Sequence, residues 1–364
     1  MVDVETTAIT ASFVIWHCVL LFFVLGIIGH LLNFYVLTRR KLRSSPCTLY
    51  FLAATAAACV VVWIMLPWRF LQYAYNIEPA YYSSAICKIE YYLNNTTRAM
   101  ASWFLGLACM DRYFCSSSNA RMRRFSSVRM ARIIIIIFTL TMFIIHIHVP
   151  IYNIVGTGRT PVPFSQVSTI CTITTGFYAT FSLYWFFIVY AFSPPVIMLI
   201  FGLLTLFNIH QRRRQILPNA SDINNRKREK TSRQMLIMLI VQCTFITICT
   251  MPTALQRFYT YFTSTQQKST TQKALDQLFL TTTLALGFIG HSLTFYMFTL
   301  SGSMFRDEVK QLITKIPGCR RILATTRTQT TTNGMLPVSH EQRNMATLRN
   351  HQTTRVTTNA PINE

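Results

Sequence analysis

Charge is scarce in this chain, and negative charge is the scarcer sign. Charged residues make up 13% of the 364 residues, with 12 acidic side chains against 34 basic ones. A soluble protein of ordinary composition carries about 25% charged residues. The shortage argues against a soluble protein. The basic excess does not indicate nucleic-acid binding, because the basic residues cluster at the ends of apolar segments.

Patterns that carry enzyme chemistry are missing as well. The sequence shows no catalytic carboxylate pair, no phosphate-binding glycine loop and no nucleophile elbow, and His146 and His148 have no companions at metal-ligand spacing. No segment joins a basic start to a short apolar core and a cleavage site, so we expect the first apolar segment to act as an uncleaved signal. We predict no enzyme, no cofactor and no metal site.

Long apolar segments are what the chain has instead. Each of seven is long enough to cross a bilayer, which takes about 20 residues. They are Phe13–Leu37, Thr48–Leu71, Lys88–Phe114, Ala131–Tyr152, Ala179–Phe207, Gln234–Tyr259 and Leu275–Leu300. The prediction is an all-α membrane protein, a seven-transmembrane helix bundle. A seven-span transporter or channel is an alternative, but it would favour internal repeats, and none is evident.

Basic residues in the connections predict the orientation. They crowd the first connection (Arg39, Arg40, Lys41, Arg43), the third (Arg121, Arg123, Arg124, Arg129, Arg132) and the fifth (Arg212 to Arg233), while the others hold few. Positive connections stay in the cytoplasm. We therefore predict an extracellular N-terminus at 1–12, a receptor domain at 13–300 in the plasma membrane, and a cytoplasmic C-terminus.

The C-terminal part is predicted to contain two regions. Residues 301–316 combine apolar side chains with basic ones, Arg306, Lys310 and Lys315, and are expected to form a short amphipathic helix along the inner interface. Residues 317–364 are rich in Thr, Asn and Gln, which is typical of a disordered tail. Cys319, next to Arg320 and Arg321, is a candidate for palmitoylation; an unmodified cysteine is the alternative.

Two features lie at opposite ends of the third segment. Cys87 and Cys171 fall on the outer, oxidising side, so we predict a disulfide between them, with two free thiols as the alternative. Asp111-Arg112-Tyr113 follows, with Arg112 25 residues after Cys87, about 37 Å of helix. An Asp111–Arg112 pair that a cytosolic partner could open would be a two-state switch. The alternative is an arginine that snorkels at a helix end.

These residues, together with Pro194-Pro195 and Cys249-Thr250-Met251-Pro252, resemble the rhodopsin-like G-protein-coupled receptors over roughly residues 13 to 319. The run from Gly290 to Arg306 is similar to the corresponding segment of invertebrate FMRFamide-type neuropeptide receptors. The resemblance implies an extracellular ligand, in this case a peptide, and a heterotrimeric G protein as partners. It also implies an activation switch formed by Asp111, Arg112, Tyr113, Pro252 and Phe298.

The chain departs from the family pattern at several positions inside the bundle. The sodium-binding positions of the family are occupied by Ala58, Ala101 and Thr294, with His30 in place of the usual first-segment Asn. Sodium prefers hard oxygen ligands that include a carboxylate, so we expect this site to be absent or weakened. Thr250 stands where the family has a tryptophan, and these changes put the strength of G-protein coupling in doubt.

Polar residues in the outer halves of the segments are candidates for ligand binding. They are Arg69, Tyr91, Asn94, Arg98, Gln256 and Arg257. Arginine suits carboxylate or phosphate recognition, whereas Asn94 replaces the aspartate of amine receptors. The alternative is that these arginines pair within the protein, with an acid such as Glu90, or snorkel outward. The competing function is a chemosensory or weakly coupling receptor for a small molecule.

Overall fold

A computed structural model of the chain describes residues 4–159, 167–215 and 222–315. The described part contains seven long helical segments, which we number helix 1 to helix 7. Several are made of consecutive pieces. Helix 1 is Val4–Leu37, helix 2 is Pro46–Cys59, Val60–Met65 and Leu66–Tyr75, and helix 3 is Ser84–Ser116. Helix 4 is Val128–Ile145 and His148–Tyr152, and helix 5 is Phe177–Trp185, Phe186–Phe192 and Ser193–Gln215. Helix 6 is Asp222–Phe262, and helix 7 is Thr270–Ser292 and Thr294–Ser301.

Most of these helices have the length and composition of membrane spans. Within the described residues, five helices are long and apolar enough to cross a bilayer, and the bent pair of helix 7 is a sixth candidate. Helix 3 has 33 residues, about 50 Å of helix, but it carries more polar side chains. The predicted helix bundle is confirmed, with every helix longer than its apolar run.

Helix ends differ from the sequence-based boundaries at both termini of the bundle. The described part of helix 1 starts at Val4, ahead of the apolar run that begins at Phe13, because no proline or glycine interrupts the chain before that run. The short helix predicted at 301–316 is Ser303–Lys315, and Gly302 separates it from helix 7. Cys319, the tail at 317–364 and the middle of the fifth connection lie outside the described residues.

Irregular backbone inside the helices was not expected from hydropathy. Val60–Met65 and Phe186–Phe192 are π-helical turns, and each lies just ahead of a proline, Pro67 or Pro194. Proline has no N–H to donate and displaces the preceding turn, which a π-turn accommodates.

Helix 7 is bent rather than continuous as predicted. Its two pieces meet at Leu293 with an angle of 53°. The hydroxyl of Thr294 donates to the carbonyl of His291 at 2.9 Å, and that of Ser292 donates to the carbonyl of Phe288 at 3.1 Å. Such side-chain bonds to the helix backbone bend helices that lack a proline.

Two antiparallel strands connect helix 4 to helix 5. Strand β1, Asn153–Arg159, pairs with β2, Val167–Ile173, and Val155 lies opposite Cys171. Cys171 forms a disulfide with Cys87 at the start of helix 3, with a Cα–Cα distance of 5.6 Å. The predicted disulfide is confirmed, and we call this end of the bundle the disulfide end.

The outer surface of the bundle is strongly apolar, and several polar side chains are buried inside it. Large apolar residues such as Leu21, Ile136 and Leu203 point outward and are exposed, whereas His30 and Gln242 are fully buried. Five of the six polar residues that interrupt the seventh apolar segment are buried: Thr281, Thr283, His291, Ser292 and Thr294. A lipid-facing surface, with polar side chains turned into the bundle, explains this pattern.

Candidate functional site

The Asp111–Arg112 pair lies at the end of helix 3 opposite the disulfide. Nη2 of Arg112 is 2.6 Å from Oδ2 of Asp111 and 3.4 Å from Oγ of Ser45, and Ser126 donates to Oδ1 of Asp111 at 2.8 Å. Arg112 is only 5% exposed. A snorkelling arginine would keep its guanidinium in solvent, so the snorkelling alternative does not describe this residue.

The neighbouring residues of the predicted switch occupy different surroundings. Tyr113 is half-buried and its ring centre lies 5.5 Å from that of Phe201 in helix 5. Phe298 is buried between Phe51 and Phe305, at ring-centre distances of 4.9 and 5.5 Å. Pro252 lies within helix 6. The switch residues therefore belong to three helices, helix 3, helix 6 and helix 7, and do not form one cluster around Arg112.

A buried polar layer crosses the middle of the bundle. Gln242 of helix 6 donates to the hydroxyl of Thr294 at 3.3 Å, and the ring of His30 reaches the carbonyl of His291 at 3.2 Å. Ala58 and Ala101 line a cavity of about 10 Å³ beside this layer. Such a volume holds about one water molecule, and amide, imidazole and hydroxyl groups face it where the family has a carboxylate.

Arg69 is neutralised inside the protein. Its guanidinium lies 2.6 Å from Glu90 of helix 3 and 3.9 Å from Glu78 in the connection between helices 2 and 3. Gln72 accepts a further hydrogen bond from it at 2.5 Å. The alternative of pairing within the protein therefore describes Arg69, and Glu90 is the acid that sequence reasoning named.

Glu78 was missed by sequence reasoning. It is 1% exposed and accepts a hydrogen bond from the N–H of Ala80 at 3.1 Å. Burial raises the pKa of Glu78 to about 7, Glu90 adds to the rise, and Arg69 opposes it. Burial also raises the pKa of the nearby Tyr81 to about 12. The sequence did contain a signal for Glu78. Buried arginines in this half of the chain need counter-ions, and because acidic residues are scarce, each one near them is a candidate partner.

Arg98 and Arg257 have aromatic rings around them rather than acids. The guanidinium carbon of Arg98 lies 5.6 Å from the ring centre of Tyr190 and 4.9 Å from that of Phe288. That of Arg257 lies 4.0 Å from the ring centre of Phe186. Phe186 and Tyr190 are 4.9 Å apart. We call these five residues the arginine–aromatic cluster; they come from helices 3, 5, 6 and 7.

The other ligand-binding candidates lie nearby with mixed partners. The hydroxyl of Tyr91 donates to the carbonyl of Cys171 at 3.4 Å, and its ring faces Arg69 at 5.1 Å. Gln256 is buried and donates to Thr260 at 2.8 Å. Oδ1 of Asn94 is buried and has no hydrogen-bond partner among the described residues.

Comparison with protein families identifies the class of the chain. No curated protein matches the chain. The family described as "7 transmembrane receptor (rhodopsin family)" matches residues 30–289, well over half of the chain. The match begins at His30 in helix 1 and ends at Ile289 in helix 7, so it includes the disulfide and the Asp111–Arg112 pair. The chain therefore belongs to the rhodopsin family of seven-transmembrane receptors, which are multi-pass plasma-membrane signalling proteins and not enzymes.

Proposed function

We propose that this receptor transmits the binding of an extracellular neuropeptide to a heterotrimeric G protein. The observation that carries the proposal is the Asp111–Arg112 pair, held at 2.6 Å at one end of helix 3 while the disulfide anchors the other end. A ligand that favours a different packing of the helices would change the exposure of this pair. The mechanism is a population shift between two arrangements.

Arg112 is the residue through which the shift would reach the G protein. In the state described here, Asp111, Ser45 and the sulfur of Met235 in helix 6 surround its guanidinium. Movement of helix 6 away from helix 3 would remove Met235 and open a route from the cytosol. Arg112 would then exchange Asp111 for backbone or carboxylate acceptors of the partner.

Sub-family and orientation belong to the same proposal. The run Gly290 to Arg306 supports an FMRFamide-type receptor, because it carries phenylalanine at 295 and 298 and a Leu-x-Gly-x-x-Phe-Arg sequence at 300–306. In the structure, Arg306 donates to the carbonyl of Leu300 at 2.8 Å, so this sequence closes the end of helix 7. We place the N-terminus outside the cell on the basis of the charged connections.

The test is a ligand screen with a G-protein activation readout and an Arg112→Ala variant. We expect the variant to reach the cell surface in normal amounts and to lose signalling. Arg121→Ala is the matched control, since it removes an exposed arginine from the following connection and should signal normally. Unchanged signalling by Arg112→Ala would contradict the role proposed for this residue.

A weakly coupling chemosensory receptor is the second candidate. It is favoured by Ala58, Thr250 and the bond from Gln242 to Thr294, which replace the groups that respond to ligands elsewhere in the family. The same screen separates the two candidates. Silence towards all peptides together with a response to small odorants would favour the second.

A further inference from the structure

We infer that the ligand of this receptor carries an acidic group, a carboxylate, sulfate or phosphate, that binds between Arg98 and Arg257. The inference rests on the proposed function for the location of the ligand and narrows its chemistry. It starts from the charges of the arginine–aromatic cluster. Arg98 is 5% exposed, and no acidic side chain lies within ion-pair distance of Arg98 or Arg257 in the described part of the chain.

The contrast with the other buried arginines is the first argument. Arg69 has Glu90 and Glu78, and Arg112 has Asp111. An isolated buried cation is costly, and proteins normally pair it. Among the residues that the structure describes, Arg69 and Arg112 have an acidic counter-ion and Arg98 and Arg257 have none. An acid brought by a ligand would supply the missing negative charge.

The geometry of the cluster is the second argument. The two guanidiniums lie against the two rings of one aromatic pair, Phe186 and Tyr190. A ring offers only a quadrupole, which attracts a cation less strongly than a formal negative charge does. The Nε group of Arg98 and Oδ1 of Asn94 are buried without hydrogen-bond partners among the described residues. Of these two atoms, Nε of Arg98 is a donor and is available for an oxygen of an acid.

The position of the cluster connects binding to signalling. Arg98 lies in helix 3 and packs closely against helix 7, since a Cβ built at Gly287 would lie 2.5 Å from its Nη2. Arg257 lies in helix 6. An acid bound by both would draw the outer parts of helices 3 and 6 together. Helix 6 also carries Met235 beside Arg112, so the same helix reaches both sites.

The inference does not depend on the sub-family assignment, which rests on the run Gly290 to Arg306. Two guanidiniums without an acidic partner among the described residues attract an anion and repel a cation. Within the proposed peptide ligands, we therefore assign the receptor a peptide with a free carboxylate or an acidic side chain.

The first experiment measures the unfolding temperature of the purified full-length receptor. Acetate, inorganic sulfate and acetamide are each titrated, and chloride keeps the ionic strength constant. Acetate and sulfate should raise it by several degrees, whereas neutral acetamide should not. Lys273→Gln is the matched control, since it removes an exposed cation of the same end and should keep the response. Arg98→Gln should lose the response.

Asn94→Asp keeps the inference testable if Arg98→Gln fails to fold. Position 94 lies one helical turn before Arg98 on the same face, so the new carboxylate supplies a counter-ion from within the protein. We expect this variant to unfold at a higher temperature than the wild type without added anion and to respond no further to acetate. Equal effects of acetate and acetamide, equal shifts in all variants, or an Asn94→Asp protein no more stable than the wild type would each overturn the inference.

The inference and the proposed function fail in different ways. The thermal measurement needs no G protein, so anion binding without any G-protein activation would count against the proposed function alone. A screen of peptide pairs that differ only in a free or amidated C-terminus tests the ligand class in cells. Activation by amidated, acid-free peptides would overturn the inference and leave the proposed function standing.

Discussion

Glu78, Glu90 and Arg69 form a buried cluster in which two carboxylates face one guanidinium. The side chains of Tyr73, Tyr81 and Tyr91 complete its surroundings. Burial of Glu78 and the neighbouring charge of Glu90 disfavour its ionised form, and its pKa is about 7. Glu78 therefore retains a proton in the folded protein at a pH where the unfolded chain has released it.

The stability of the receptor should depend on pH through Glu78. Because the folded protein binds this proton more tightly, stability should fall as the pH rises from about 4.5, the ordinary value, to about 7, and then level off. Glu78→Gln replaces the titratable carboxyl group with a neutral amide and should flatten this part of the curve of stability against pH. The unfolding temperature of purified receptor across this range measures the effect.

Asp276→Asn is the control for this prediction. Asp276 pairs with Lys268 at the same end of the bundle, and its side chain is 22% exposed. The variant should keep the slope of the wild type. A Glu78→Gln protein with the same slope as the wild type would show that other groups cause the pH dependence.

The ligand-binding candidates show how far residue-level prediction reached. The sequence places Arg69, Arg98 and Arg257 in the outer halves of their helices but treats them alike. The structure separates Arg69, which pairs with Glu90 at 2.6 Å and lies 3.9 Å from Glu78, from the other two. Which arginine an acid reaches depends on how helices 2 and 3 and their connection pack, and hydropathy contains no information on that packing.

At the scale of helices, apolar runs predicted where segments lie but not how they bend. Run length follows from bilayer thickness, so all seven segments were found. The π-turns ahead of Pro67 and Pro194 and the bend at Leu293 depend on individual backbone hydrogen bonds. The strands β1 and β2 were missed because they are short and lie in a connection between helices.

Helix packing at Gly290 gives a prediction at this scale. A Cβ at Gly290 of helix 7 would lie 2.9 Å from Cβ of Cys249 in helix 6, so the two helices would have to separate. Gly290→Ala should destabilise the receptor by about 1–3 kcal/mol, as overpacking does. Thermal unfolding in detergent, with surface delivery in cells, measures the loss.

Gly202→Ala is the matched control for close packing. At Gly202 the nearest atom, Cγ1 of Ile240, would lie 4.0 Å from the new Cβ, an ordinary contact. Alanine is favoured over glycine in a helix by about 0.5–1 kcal/mol, so this variant should be as stable as the wild type or more so. If both variants behaved alike, helix propensity rather than helix separation would dominate at these positions.

For the whole molecule, two independent arguments give the same orientation. Basic residues crowd the connections at the Arg112 end, for example Arg40 and Arg123, and such connections remain in the cytoplasm. The disulfide lies at the opposite end, and disulfides persist in oxidising compartments outside the cytosol. Helix 1 starts at the end where helix 3 starts, so on both arguments we propose that the N-terminus lies outside the cell.

Epitopes placed ahead of Val4 and after Glu364 test this orientation. On intact cells an antibody should reach the amino-terminal epitope and not the carboxyl-terminal one, which should become accessible only after permeabilisation. Blocking of the free thiols before and after reduction should show the Cys87–Cys171 bond in the same surface population. A carboxyl-terminal epitope stained on intact cells would require an even number of crossings or the reverse orientation, and either would contradict the proposed topology.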